Sequence, residues 1–388
     1  MEFRYFMPVD VRFGPGKLKE LHTMPLPGKR ALILMTKGGS ARRHGYLQTV
    51  EEQLDLAGVS YVECGIVNPN PTRDNVNEAA RICKEEKCDF AIALGGGSVI
   101  DCAKAVGVTV ANGGDYWDYV KWGTGGKKPI EKTDFPFIVI STTSGTGSEV
   151  DTGCVITNTA TDEKIGSGDP RNFAKLAVVD PELTLSVPPR FTAFQGFDVL
   201  FHVSECYISK AENWIIDMFA PEVMARVARS LPVCVANGAD LEARSDMAWA
   251  NIEAGFCLQH GSLTCQHSME HALSGIYQDL THGAGLILLS RAYFTYCYRN
   301  PELRPRLAVM AEKLGHPEPE KDLAFVEALE NLKEACGVSD VTMKNFGITP
   351  DSFEKTVAFC HNHKGVGMER RPMSDEDIMA VLNQAYAY

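Results

Sequence analysis

Apolar residues are unevenly spread along the chain. Between residue 30 and about residue 180 they come in short continuous runs, at 31–35, 61–64, 90–94, 137–140 and 177–179. A strand with one face in water alternates apolar and polar positions, but one buried on both faces has no polar side to show. The runs therefore predict a mostly parallel sheet covered on both sides. The stretches 75–88 and 98–110 between them carry apolar residues at helical spacing, which makes the first half α/β. After Pro188-Pro189 the strand-like runs stop and helical periodicity continues for the rest of the chain. Leu323, Val326, Leu329 and Leu332 recur on one face with Gly337 as a stop signal, and Ser374-Asp375-Glu376-Asp377 has the spacing of a capping box. The pattern predicts two domains: an α/β domain over 1–187 and an all-helical domain over 188–388.

Composition removes several alternatives. The 388 residues are 45% apolar and 23% charged with ordinary Gly and Pro usage, which excludes disorder, collagen or a coiled coil as the whole answer. A net charge of -12 has the wrong sign for a nucleic-acid binder or an anionic-membrane binder. No apolar run approaches the ~18 residues that span a bilayer. Glu2, Arg4 and Asp10 interrupt the opening segment, so it offers no signal-peptide core and a cytoplasmic location is expected. The 12 cysteines include no CxxC pair. Reduced, buried thiols are expected, and neither a zinc ribbon nor a dithiol redox site.

Three turns carry candidate phosphate or sugar chemistry. Gly95-Gly96-Gly97-Ser98 follows a buried strand and opens a helix, where glycine lets a phosphate approach the backbone and the helix N-terminus supplies N–H donors. The spacing is not that of the usual dinucleotide fingerprint, and no GxxxxGK[ST] loop exists. Thr142-Thr143-Ser144-Gly145-Thr146-Gly147-Ser148-Glu149 follows another strand with more hydroxyls than packing needs. Gly38-Gly39-Ser40, followed by Arg42 and Arg43, ends the first strong strand. Two guanidinium groups there suit a ribose 2′-phosphate and favour NADP(H) over NAD(H).

Of 10 histidines, His260, His267, His271 and His282 cluster, and His202 stands four residues after Asp198. Residues i and i+4 share a helix face, so Asp198 and His202 can reach one metal, as can one of His267 and His271. Spacing alone leaves open which of that second pair is the ligand. HSMEH is not HExxH, because its Glu is the fourth residue, and a metalloprotease is excluded. His260 reads as a satisfied core histidine. Asp198, His202, His267 and His282 make one carboxylate and three imidazoles, a divalent transition-metal shell that accepts Fe(II), Zn(II) or Mn(II).

These motifs, together with Val11-Arg12-Phe13-Gly14-Pro15-Gly16, Asn68-Pro69-Asn70-Pro71-Thr72, Ser98-Val99-Ile100-Asp101 and Val179-Asp180-Pro181-Glu182-Leu183-Thr184, resemble the iron-containing (group III) alcohol dehydrogenases over most of the chain. That superfamily shares its fold with dehydroquinate synthase and glycerol dehydrogenase. The resemblance implies metal ligands at Asp198, His202, His267 and His282, with Fe(II) the leading cation. It implies a non-ligand catalytic histidine beside the nicotinamide at His271. It puts the pyrophosphate at Gly96, Gly97, Ser98 and Asp101, and nicotinamide-side contacts at Thr142, Thr143, Thr146, Lys164 and Leu183. Asn68, Gly38, Gly39 and Ser40 complete the implied cofactor set, and the glycine turn looks like the NADP-using butanol dehydrogenase and aldehyde reductase branch. A homodimer or higher homo-oligomer acting on a small alcohol or aldehyde is expected.

The implied reaction is hydride transfer at a carbonyl, with the metal as Lewis acid and His271 as proton donor or relay. A dehydroquinate-synthase-like lyase would need several Lys or Arg for its phosphorylated substrate, and 198–205 and 257–290 contain none. A silent metal-binding protein would have no use for three phosphate-friendly turns. Three departures touch the site. His267 and His282 are 15 apart where many relatives have 14, Gly196-Phe197 replaces smaller residues before Asp198, and Asp151 stands where a small polar residue is common.

Overall fold

The computed structural model describes residues 2–361 and 364–388. They form two compact units, one of Phe6–Ser144 and Ser148–Ser186, the other of Val187–Tyr388 with Gly145–Gly147 and the start of the chain through Tyr5. No helix among the described residues is long and apolar enough to cross a membrane.

In the first unit, strands β1 (Asp10–Phe13), β2 (Arg30–Thr36), β3 (Ser60–Val67), β4 (Phe90–Gly95), β5 (Phe137–Ser141) and β8 (Leu176–Val179) form one sheet in the order β1-β8-β5-β4-β2-β3. Every pairing in it is parallel. β4, β5 and β8 are buried at every position, as their unbroken apolar runs require. Helices α1 (Ser40–Arg43), α2 (Tyr46–Leu56), α3 (Arg73–Glu85) and α4 (Gly97–Asn112) follow β2, β3 and β4. Thr72 caps α3 in a reciprocal capping box with Asn75, so this helix starts before the predicted 75. β6 (Gly153–Asn158) and β7 (Glu163–Gly168) make a separate antiparallel hairpin.

From β2 the chain moves outward to β3, then returns across β2 to β4. The carboxyl ends of β2 and β4 therefore flank a topological switch point, the place where an open α/β sheet offers a crevice to a ligand. Gly38-Gly39-Ser40 ends one of these strands and Gly95-Gly96-Gly97 the other.

The second unit is helical: α5 (Pro189–Ile208), α6 (Trp214–Ala236), α7 (Leu241–His260), α8 (Cys265–Ile276), α9 (His282–Cys297), α10 (Arg304–Lys313), α11 (Ala324–Ala335), α12 (Phe353–His361), α13 (Lys364–Gly367) and α14 (Asp375–Ala387). Pro189 sits in the first turn of α5, where its missing N–H costs nothing. Leu323 does not belong to the helix predicted around it. It takes a left-handed conformation (φ 62°) just before α11, and Gly337 (φ 65°) follows that helix's end. Ser374 caps α14 in the predicted capping box with Asp377. α5 is packed by α6, α7 and α9 and is buried on nearly every face. All 12 cysteines are buried and none is in a disulfide.

Candidate functional site

The metal-ligand candidates lie wholly in the helical unit. Asp198 and His202 are one turn apart on α5, His267 is on α8, and His282 is the first residue of α9. Asp198, His202 and His267 are buried, and His282 keeps 24% of its side chain exposed. The Nε2 atoms of His202, His267 and His282 lie 3.4, 3.7 and 3.4 Å from Asp198 Oδ1. These distances are long for hydrogen bonds to a carboxylate. They match the edge of a tetrahedron whose metal bonds are about 2.0–2.1 Å, which puts ligand atoms about 3.3–3.4 Å apart. One ligand atom from each of the four residues lies within 4.8 Å of the others. Asp198 Oδ1 and His267 Nε2 are buried with no hydrogen-bond partner. A buried polar atom without a partner is costly, and a cation between these atoms removes the cost. The donor set thus fits a divalent metal.

A second layer holds the ligands, and sequence reasoning missed it. Glu205 Oε1 pairs with His267 Nδ1, and Glu270 Oε2 with His282 Nδ1. Both carboxylates are fully buried. By accepting a hydrogen bond from Nδ1–H, each leaves its histidine's Nε2 lone pair to face Asp198, as outer-shell carboxylates do at metal sites. The available signal was an acidic residue close to each histidine motif with no Lys or Arg three or four residues away to pair with it: Glu205 three residues after His202 on α5, and Glu270 inside HSMEH.

The electrostatics agree. Burial works against the charge of Asp198, but His202 and His282 hold its carboxyl far below the usual range. Burial lowers His202 to about 4, so it is a neutral imidazole ready to donate a lone pair. His267 is also penalised by burial, yet Glu205 overrides this and raises it to about 9, so a metal must displace a proton from it.

His271 lies beside the cluster, buried, with its ring centroid 5.6 Å from that of His282 and 6.2 Å from that of His267. It can group with Glu270 and His282, but it is not one of the three histidines around Asp198 Oδ1. His260 belongs to neither group of residues able to share a metal. Its Nδ1 lies 2.8 Å from the Phe256 carbonyl oxygen, and its ring stacks on Tyr5.

The cofactor candidates are placed as follows. Gly96 precedes α4 in an extended conformation, and no side chain caps that helix. A Cβ on Gly96 would lie 2.6 Å from Thr143 Oγ1, so the loops after β4 and β5 touch at a spot that only glycine fits. Ser98 Oγ donates to the Pro69 carbonyl, and the Asn68 amide donates to Asn75 Oδ1 at 3.0 Å. Thr142 and Thr143 follow β5, half-buried, and Thr146 groups with the helical unit. Lys164 is buried on β7, and Leu183 is buried in the 3-10 turn Pro181–Thr184. Asp101 is already engaged: its oxygens accept from Ser148 Oγ at 2.6 Å and the Val155 amide at 2.8 Å. Asp151, one of the departures, pairs with the fully buried Lys104, whose ammonium also donates to Ser148 and the Gly153 carbonyl.

At the end of β2, Gly39 takes the left-handed conformation (φ 67°) and Ser40 starts α1. Arg43 donates to the Gly38 carbonyl and Arg42 pairs with Glu63, so neither guanidinium is idle.

Residues 8–181 match the family model for iron-containing alcohol dehydrogenases, and residues 192–386 match its C-terminal domain model. The chain belongs to the iron-containing alcohol dehydrogenase family. It is 34% identical to a 1,3-propanediol dehydrogenase of Citrobacter freundii over 99% of both chains. It is 31% identical to the NADH-dependent butanol dehydrogenase A of Clostridium acetobutylicum over the whole of both. Among solved structures, an archaeal halo-thermophilic Red Sea brine pool alcohol dehydrogenase superposes with a TM-score of 0.94 at 30% identity, over 99% of each chain. Family membership carries alcohol dehydrogenase chemistry with a divalent metal and a nicotinamide cofactor. The expected fold is the one found.

Proposed function

We propose that this enzyme interconverts small aldehydes and alcohols with NADP(H), using Fe(II), or Zn(II) or Mn(II) in its place, held by Asp198, His202, His267 and His282. The observation that carries this is the convergence of three imidazole Nε2 atoms on one oxygen of a buried carboxylate. When bound, the cation supplies Lewis acidity toward a carbonyl oxygen, and the dinucleotide supplies the hydride.

The chain's own residues do the rest. Glu205 and Glu270 fix the tautomers of His267 and His282, so both Nε2 atoms act as acceptors. His271, buried one turn after His267, gives the proton that the new alcohol oxygen needs and takes it back in the reverse direction. Gly96, Gly97 and Ser98 present backbone N–H groups to the pyrophosphate at the start of α4. Asp101 acts on that cradle from behind, through its bonds to Ser148 and Val155. Thr142, Thr143, Thr146, Lys164, Leu183 and Asn68 complete the dinucleotide contacts.

The coenzyme preference rests on the turn after β2. Gly38-Gly39-Ser40 has no acidic residue to bind a ribose 2′-hydroxyl, and Arg42 and Arg43 follow on α1. A 2′-phosphate must draw Arg42 from Glu63 and Arg43 from the Gly38 carbonyl, a trade that a dianion can win. The enzyme is proposed to act in the cytoplasm as a homodimer or larger homo-oligomer.

The test is reduction of butanal, followed by the absorbance of the reduced nicotinamide, with protein stripped of metal and reconstituted anaerobically with Fe(II). Turnover that requires both metal and NADPH supports the reading. Absence of turnover with any of the three cations and either coenzyme would overturn it.

A further inference from the structure

Behind His267, on the side away from Asp198, four side-chain oxygens form a row in the interior of the helical unit. Glu205 Oε2 accepts from the Thr264 amide and the Thr264 hydroxyl, both at 2.8 Å. The Thr264 hydroxyl lies 2.7 Å from the Tyr293 hydroxyl, which lies 2.7 Å from Glu369 Oε1. Glu205, Thr264 and Tyr293 are fully buried and Glu369 is 4% exposed. The segment carrying Glu369 is pinned to the end of α5, where the Lys210 amide donates to the Met368 carbonyl at 3.0 Å and Arg370 Nε donates to the Ile208 carbonyl at 3.1 Å.

The row contains three oxygen–oxygen contacts at hydrogen-bond distance, and each needs a proton between its atoms. The two hydroxyls own two protons. With both carboxylates ionised, one contact would set lone pair against lone pair in a buried interior, where an unmade hydrogen bond is most costly. The third proton therefore sits on one of the two carboxyls. Glu205 is the anion, since it accepts from the Thr264 amide, the His267 amide and the His267 ring. Glu369 has one amide donor, Cys265 at 2.9 Å. Burial pushes Glu369 up to about 7 against the Cys265 amide, the Tyr293 hydroxyl and Lys210, and the charge of Glu205 works in the same direction as burial. Arg299, Arg371 and Cys297 line the small cavity beside it.

We propose that Glu369 is a neutral carboxylic acid in the folded protein and a positioning residue for the metal centre: its proton orients Tyr293 and Thr264 into a one-way chain of donors that ends on Glu205. Glu205 then holds His267 with Nδ1 protonated and Nε2 turned to Asp198. The outermost link stands 102 residues after the ligand it controls. The second half of this inference rests on His267 being a metal ligand, and the first half does not.

The experiment has two arms. In the first, infrared difference spectra between the wild-type protein and Glu369→Gln are recorded in slightly acidic buffer. The wild type should show the C=O stretch of a protonated carboxyl, shifted in D2O and missing from the variant. Carboxylate bands alone would overturn the proposal, whether or not the protein binds metal. In the second, metal affinity is measured by chelator competition for Tyr293→Phe and Thr264→Val. Tyr298→Phe serves as control, because it removes the hydroxyl of another buried tyrosine, one that accepts the Phe325 amide at 2.9 Å. Breaking the chain should weaken metal binding about 10-fold or more, the range for outer-shell partners, while the control stays within about twofold. Should Tyr293→Phe fail to fold, Thr264→Val gives the same reading. Equal affinities in the chain variants and the control would overturn the positioning role. Failure of the wild type itself to bind metal would instead overturn the proposed function, leaving the infrared arm to decide the state of Glu369.

Discussion

Replacing Gly96 by Ala probes the proposed phosphate cradle with one methyl group. The added Cβ would lie 2.6 Å from Thr143 Oγ1 and 2.9 Å from Thr143 Cγ2, where ordinary contact begins at 3.4 Å. Thr143 must therefore retreat by about 0.8 Å or leave its rotamer, since alanine itself tolerates the backbone at Gly96 (φ -89°). Overpacking of this kind costs about 1–3 kcal/mol, and 1.4 kcal/mol is about tenfold in affinity. The strain falls where the dinucleotide is proposed to touch the backbone, so NADPH should bind about 5- to 140-fold more weakly. The assay is a fluorescence titration with NADPH, alongside metal content and melting temperature. Metal content should be unchanged, because all four proposed ligands belong to the helical unit. Adding Thr143→Ala should restore the melting temperature but not the affinity, since Thr143 is itself a proposed contact. A Gly96→Ala protein that binds NADPH within about twofold of wild type would refute the cradle.

Arg43→Ala should lower kcat/KM for NADPH about tenfold and leave NADH nearly untouched, consistent with the loss of one charge-assisted contact to the 2′-phosphate; equal losses with both coenzymes, or a wild-type preference for NADH, would reverse the assignment. Asp101 is raised to about 6, chiefly by burial, with Asp151 adding to it while Lys104 and Ser148 oppose. Its folded value lies above an unfolded value of about 3.9, so its contribution to stability is present at low pH and is lost as pH rises from about 4 through 6. The amount is on the order of 3 kcal/mol for about two pH units. Urea unfolding at both ends of that window should show Asp101→Asn catching up with wild type as pH rises; a stability difference that does not change with pH would contradict this account.

The parallel sheet was legible because β4, β5 and β8 have no polar face. β1 was not, because Asp10-Val11-Arg12-Phe13 lies at the sheet's edge, paired on one side only, and its two charged residues break the run. The β6–β7 hairpin was also missed. Its register, from Gly153 opposite Gly168 to Asn158 opposite Glu163, depends on a turn through Asp162 at φ 53°, which no Gly or Asn-Gly pair announced. The cluster was visible because Asp198 and His202, and likewise His267 and His271, sit at i and i+4, a spacing fixed by helix geometry alone. Glu205 meets Thr264 across 59 residues and Glu369 meets Tyr293 across 76, and no local pattern encodes such contacts. The arginines after β2 were visible as charges. Their engagement with Glu63 and the Gly38 carbonyl depends on how the turn folds against β3.

The most direct test of the metal centre is the number of metal equivalents retained after dialysis by wild type, by Asp198→Ala, His202→Ala, His267→Ala and His282→Ala, and by His271→Ala, prepared side by side. The account predicts one equivalent in wild type and in His271→Ala, and none in the other four, with cofactor binding intact throughout. A filled site in His267→Ala together with an empty one in His271→Ala would contradict it, and would exchange the roles of the two histidines.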